Sequence, residues 1–411
     1  MEFRPILSSL MRNKTGPVLV AVQVALSLAI LANALHIVNI RQAVAARPSG
    51  VQAERDIFHL QVRELREQGH EQQLATQKAQ TATLRAVPGV VSVAKTSQVP
   101  LSRSGSYNSV SADLKQDKES GIAAFYVSPD SLVKTWGLKL VEGRDFNDAD
   151  VMEIDQNTSK EFPAVIQITR AMGEKVWPGA TSFLGKTLYM GVGPDAKPVR
   201  VIGVIDTLQS PGAQVNVDGG TSVVTAVRLT GDSNATYTVR AEPGQRDRVM
   251  KEAEEALRRA GNNQVVVKAK TMDEDRQERY RADTGLSWML ITVSALLLLI
   301  TASGIVGMAS LWVTQRRKQI GVRRALGARR MDILRYFITE NVMITTIGVV
   351  AGVLLALGLN QLLVSALEMA RLPAGYMLAG AGVFWTLGVC AVYGPAWRAA
   401  STSPALATRS A

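Results

Sequence analysis

The chain has 411 residues, with 46 Lys and Arg against 35 Asp and Glu, a formal net charge of +11 and 47% hydrophobic residues. The positive excess gathers beside long apolar runs, which fits the positive-inside rule and argues against nucleic-acid binding. A single cysteine, Cys390, excludes an intrachain disulfide framework and a cysteine metal site, and His36, His59 and His70 are not spaced as a ligand cluster.

In chain order, Arg4, Arg12 and Lys14 precede an apolar stretch, and a first span is expected over Pro17–Ile40. Within it, Val18–Leu35 is broken only by Gln23, Ser27 and Asn33. A cleaved signal peptide would have a shorter apolar core, and Ala43-Val44-Ala45 fits a cleavage site only loosely, so an uncleaved anchor is expected. Arg41–Asp283 contains no comparable run and is long enough for one or two globular domains. Arg41–Leu84, rich in Gln, Glu, Arg and Ala, reads as helix continuing the first span. Strands are expected at Val90–Val93, Phe125–Val127, Ala164–Ile168, Val199–Ile205, Ser222–Val227 and Tyr237–Arg240. Pro100, Gly121, Gly143, Pro178 and Pro211 punctuate them, and Arg246–Arg259 reads as helix. Met272–Arg281 is polar and helix-compatible, a stalk leading into a second span over Leu286–Val313. Third and fourth spans are expected at Phe337–Leu367 and Tyr376–Tyr393.

The expected fold is therefore a membrane protein with four transmembrane α-helices and a large extracytoplasmic α+β domain inserted between helices 1 and 2. Its parts are residues 1–40, 41–284, 285–314, 315–335 and 336–411. Orientation follows from charge. Arg316, Arg317, Lys318, Arg323, Arg324, Arg329, Arg330 and Arg335 crowd the loop between spans two and three, against Asp332 alone. The next connection carries only Glu368 and Arg371, and the tail carries Arg398 and Arg409. Both termini and the basic loop are thus expected inside, and the large domain outside.

The basic loop is the most informative segment. In Gln315–Ala328, apolar Ile320, Val322, Ala325 and Leu326 interleave with the cations, which suits a short amphipathic helix at the membrane face. Gly321 and Gly327 would let the chain turn or pack closely at its ends. Two readings stand: a helix docking into a cytoplasmic partner, or a plain topology determinant. Gly348, Gly352 and Ala356 recur every four residues in span three, a spacing that lets helices approach closely in lipid, within or between chains. No span carries a charged residue at mid-depth, which argues against an ion-coupled carrier. Asp145, Asp148, Asp150 and Glu153 read as a solvated loop, and no acid/base pair, activated nucleophile or metal cluster is apparent. Gly179–Thr187 approaches a phosphate-binding loop, but its glycines are one residue too far apart.

The sequence resembles the macrolide-exporter type of permease, in the superfamily that includes the cell-division permease and the lipoprotein-releasing permeases. The basic loop, Met331-Asp332-Ile333-Leu334, Glu340, Gly348 and Gly352 carry the likeness, as do Pro395–Ala400 and Ser403-Pro404 at the end. Leu84–Val90, Trp136–Phe146, Trp177-Pro178, Leu184–Lys186 and Val201–Ile205 continue it through the inserted domain. The family usually has Glu where this chain has Gln319. The resemblance implies that Arg316, Arg317, Lys318, Gln319, Ile320, Gly321, Val322, Arg323, Arg324, Ala325, Leu326, Gly327 and Ala328 form the helix that contacts an ATPase. It implies no cofactor on this chain, with ATP and Mg bound by a separate ATP-binding cassette subunit. It further implies a second permease, identical or paralogous, a periplasmic adaptor and an outer-membrane channel, with this chain in the inner membrane and its large domain in the periplasm. A lipoprotein-releasing permease, with apolar loops near Leu101 or Val215 touching lipid, a regulator of a cell-wall hydrolase, and a membrane sensor or scaffold remain as alternatives.

Overall fold

A computed structural model describes residues 14–213, 219–261, 263–367 and 370–401. Arg4, Arg12, Val215, Glu368, Ser403, Pro404 and Arg409 lie outside the described residues. The chain begins with α1 (Thr15–Ala45), β1 (Ile57–Glu64), α2 (His70–Arg85), β2 (Val90–Thr96), β3 (Tyr107–Ser111) and β4 (Gly121–Val127). It continues with α3 (Leu132–Trp136), β5 (Leu140–Gly143), β6 (Met152–Asp155), β7 (Val165–Thr169), α4 (Arg170–Val176), β8 (Thr187–Met190) and β9 (Lys197–Ile205). Then come β10 (Ser222–Thr225), β11 (Val227–Thr230), β12 (Asn234–Ala241), α5 (Arg246–Ala260) and β13 (Gln264–Thr271). The last elements are α6 (Met272–Gln315), α7 (Arg317–Ala325), α8 (Arg330–Leu367) and α9 (Ala374–Ser401).

Two expectations are corrected. Arg41–Leu84 is not one helix: α1 stops at Ala45, and β1 intervenes before α2. Pro48 disfavours helix at the residue before it, and Gly50 takes a φ of +90°. Phe58, Leu60 and Val62 then alternate along an extended strand whose partners lie far away in sequence. Ser222–Val227 is likewise not one strand. It divides at Ala226, so that β10 and β11 join different sheets.

The inserted unit, Val44–Ala282, is built on two larger sheets. One has the order β13-β1-β12-β2, antiparallel throughout, with Phe58 opposite Val239, Leu60 opposite Tyr237 and Val62 opposite Ala235. These residues form a buried face against α2 and α5. The helix α5 presents Val249, Ala253 and Leu257, spaced four apart on one stripe and fully buried. Burying a Val or Leu side chain of this kind contributes about 1.5–3 kcal/mol. The other sheet has the order β5-β9-β7-β10-β4-β3-β8, and β8 also pairs with β9, so six of its strands close a ring. A further core centres on Trp136, whose Nε1 donates to Thr238 Oγ1 at 2.8 Å and whose ring meets Tyr126 edge-on at 5.6 Å.

The helical unit joins Met1–Ala43 to Asp283–Ala411. Among the described residues, four helices are long and apolar enough to cross a membrane: α1, α6, α8 and α9. The helix α1 is the most enclosed, with Val24 and Leu28 fully buried. In contrast, α6 leaves Trp288, Leu296, Leu299 and Ile300 exposed, as expected of a surface facing lipid tails. Two of the polar breaks in α1, Ser27 and Asn33, meet partners on other helices. Ser27 and Thr301 hydroxyls are 2.9 Å apart, and Asn33 Nδ2 donates to the Ala29 and Ala356 carbonyls at 2.9 and 3.2 Å. Such bonds hold helices together where apolar burial alone cannot.

Candidate coupling site

The segment after α6 turns at Arg316 and enters α7. The alternation of apolar and charged residues gives this helix two faces. Ile320 and Gly321 are buried, and Ile320 joins a core with Ile333, Leu334 and Phe337 of α8 and Ala396, Ala399 and Ala400 of α9. On the other face Val322 and Ala325 are exposed, and just beyond the helix Leu326 is 83% exposed. Arg317, Lys318, Gln319 and Arg323 are exposed around them. Gly327 ends the segment with a φ of +97°, whereas Gly321 lies within the helix rather than at its end. The Arg329 N–H then donates to Asp332 Oδ2 at 2.9 Å, closing the first turn of α8.

Two cations anchor the helix. Arg316 Nη1 donates to both carboxylate oxygens of Glu340, at 2.8 and 3.0 Å, and Glu340 is 1% exposed. Tyr336 lies between, with the guanidinium carbons of Arg316 and Arg323 at 6.0 and 5.2 Å from its ring centre. Arg324 Nη1 donates to the Ala400 carbonyl at 2.9 Å, tying the far end of α7 to α9. The local pattern of the basic loop does not reveal this lock. The available signal is Glu340 itself, an acid near the start of the apolar run of α8, which needs a partner there.

The small residues of α8 lie against α1. A Cβ on Gly348 would come within 2.8 Å of the Ala21 carbonyl oxygen and of Val24 Cβ. One on Gly352 would lie 3.0 Å from the Ala25 oxygen and Leu28 Cβ. Ala356 is fully buried, and its carbonyl accepts from Asn33. The close contact is thus within this chain.

In the inserted unit, the acidic stretch is more organised than a solvated loop. Gly143 takes a φ of +75°, and a Cβ there would lie 2.1 Å from the Ile202 carbonyl oxygen. The next residue, Arg144, grips Asp150 at 2.6 and 3.0 Å and holds its carboxyl below the usual range. Asp145 accepts from Ser131 at 2.5 Å and Gln167 at 2.9 Å. Gly179–Thr187 runs into β8, whereas a phosphate-binding loop leads into a helix N-terminus. Leu101 is 1% exposed, so in this conformation it cannot touch lipid.

Apolar helices with a short basic helix locked between two of them, and a mixed domain inserted after the first, describe an integral membrane protein of the permease class. Residues 24–278 match the MacB-like periplasmic core domain, and residues 291–404 match the FtsX-like permease C-terminal family. The chain belongs to this MacB/FtsX-like family of ABC transporter permeases. It is similar to the pyoverdine export ATP-binding/permease protein PvdT of Pseudomonas savastanoi pv. phaseolicola, 29% identical over 66% of this chain and 40% of that protein. It is also similar to the macrolide export ATP-binding/permease protein MacB of Acinetobacter baylyi, 26% identical over 55% of this chain and 33% of that protein. The chain thus spans less than half the length of these curated relatives. A domain of a putative permease from Porphyromonas gingivalis shares 15% identity over 54% of this chain and 90% of that one, with a TM-score of 0.31, too low to carry an argument.

Proposed function

We propose that this chain is the permease subunit of an ATP-driven exporter and transmits the motion of a separate ATP-binding cassette subunit to its inserted domain. The observation that carries the reading is the two-faced α7 segment. One side is fixed by Ile320, Arg316 and Arg324, and the other offers Val322, Ala325 and Leu326 within a ring of cations. A helix that only retained charge on one side of the membrane would have no use for that apolar face. With the basic segment inside, the inserted domain stands in the periplasm of an inner-membrane protein. ATP and Mg are held by the partner, and closure of two partners under two permeases moves α7 and α6 together. The domain then drives a periplasmic cargo towards an adaptor and an outer-membrane channel. Coupling of this kind requires that α7 contact the two ATPase states differently. Gln319, exposed where the family has Glu, alters one polar contact at the rim of that face.

Leu326→Asp tests the reading. At an exposed position the substitution costs folding less than about 0.5 kcal/mol, whereas a charge in the centre of an interface costs about 2 kcal/mol or more, some thirtyfold in affinity. Tagged chain purified from its own host is expected to lose its ATPase companion, with an unchanged melting temperature. Retention of the ATPase at the wild-type level, with normal export, refutes the docking face.

A further inference from the structure

The inserted unit contains a cleft of about 590 Å³ that the coupling geometry does not use. A space of this size suits a small molecule. Its wall is charged rather than apolar. Lys78 and Arg85 come from α2, Lys134 from α3 and Arg228 from β11. Asp130, Asp148 and Glu153 are the carboxylates on the same wall, which leaves the cations in excess by one. Two of the carboxylates are already engaged: Asp130 by Arg85 at 2.8 Å and Glu153 by Lys78 at 2.7 Å.

Arg228 is placed differently from the other cations. It is 9% exposed, and its Nε and Nη1 have no hydrogen-bond partner among the described residues. The nearest carboxylate oxygen, on Glu153, is 3.8 Å from Nε, beyond hydrogen-bond reach. Close enough to feel its charge, Lys95 is also 9% exposed and donates to the Leu229 carbonyl at 3.2 Å. Burial, and then the charge of Arg228, pull the Lys95 ammonium down to about 8. A buried guanidinium with idle donors beside a second cation is costly unless an acceptor bearing negative charge completes it. Water would satisfy the donors, and Glu153, already shared with Lys78, offsets only part of the combined charge. An oxyanion at the cleft face of Arg228 would supply the missing charge, because the guanidinium fork matches a carboxylate or phosphate.

We propose that this cleft binds a small polar molecule through a carboxylate or phosphate group, with Arg228 as the anchor and Lys134 as a second cation at the wall. Every residue of the cleft belongs to the inserted unit, so anion binding there does not depend on export. The test uses the full chain purified in detergent, titrated in a calorimeter with inorganic phosphate or with citrate, sodium chloride holding the ionic strength constant. Saturable binding of phosphate assigns the phosphate class, and of citrate the carboxylate class. Arg228→Gln is expected to weaken the bound anion at least about tenfold, and the exposed Lys134→Gln about threefold. Should Arg228→Gln fail to fold, Lys134→Gln decides. A wild-type chain that takes up neither anion saturably has a hydrated cleft only, and the proposal falls. It falls equally if the variants that fold bind as tightly as the wild type.

Discussion

Removing one partner of the Arg316–Glu340 pair tests whether α7 is truly locked to α8. Glu340 is 1% exposed and accepts two hydrogen bonds from a guanidinium whose side chain is 20% exposed. In Arg316→Met the carboxylate is left buried without its cation. Protonation limits the cost to about 4 kcal/mol at pH 7, the energy of protonating a carboxyl whose ordinary pKa is about 4.3. In Glu340→Leu the guanidinium keeps its contact with Tyr336 and some water, so the cost is about 2 kcal/mol. Replacing both leaves two apolar side chains of similar size and should be close to neutral, within about 1 kcal/mol. The coupling energy of the cycle is then roughly 5 kcal/mol or more, well beyond the 0.5 kcal/mol scatter of independent sites. Equilibrium unfolding in mixed micelles of increasing SDS content, followed by helical circular dichroism, measures all four chains. Single effects that simply add, to within about 0.5 kcal/mol, would show that the pair does not hold the helix.

Three further outcomes follow from other parts of the molecule. Gly352→Leu should destabilise the helical unit by about 1–3 kcal/mol or more, because the added side chain meets α1 backbone; Gly358→Leu, where nothing lies within 4 Å, should be tolerated, and equal SDS midpoints would contradict this. Lys95 titrates in the folded chain at about 8, against an ordinary value of 10.5. Below about pH 8 both states hold its proton and the folded state bears the full penalty, so stability rises with pH between about 8 and 10.5. Lys95→Met should therefore be the more stable chain at pH 7, by up to about 3 kcal/mol, with the advantage fading as pH approaches about 10.5; a gap in melting temperature that does not change with pH would refute the sign. Trp136→Phe removes the 2.8 Å bond to Thr238 from a fully buried site. It should cost about 2–3 kcal/mol and speed amide exchange in β12, and unchanged exchange there would count against Trp136 as the centre of that core.

Several elements were legible because their cause is local. A helix in hydrocarbon must satisfy its own backbone, so a run of apolar residues long enough to cross announces itself, as Val18–Leu35 does. The stripe of Val249, Ala253 and Leu257 announces α5 in the same way. The basic segment and the four-residue spacing of Gly348, Gly352 and Ala356 were also visible as patterns. What could not be read was decided by residues distant in the chain. The strand β1 was lost in a composition that suits helix, because its neighbours are Asn234–Ala241 and Gln264–Thr271. The ring of strands closes only through the pairing of β8 with both β3 and β9.

The same division runs through the candidate site. Sequence by itself determined that Ile320, Val322, Ala325 and Leu326 share one short segment with many cations. Only the tertiary structure decided that Ile320 turns inward while Val322 and Leu326 face out, and that Arg316 closes on Glu340 from the next helix. Periodicity states which residues share a face, but the direction of that face depends on what the rest of the chain packs against it. A buried carboxylate needs a cation, and which of several arginines supplies it is settled by the geometry of the folded chain.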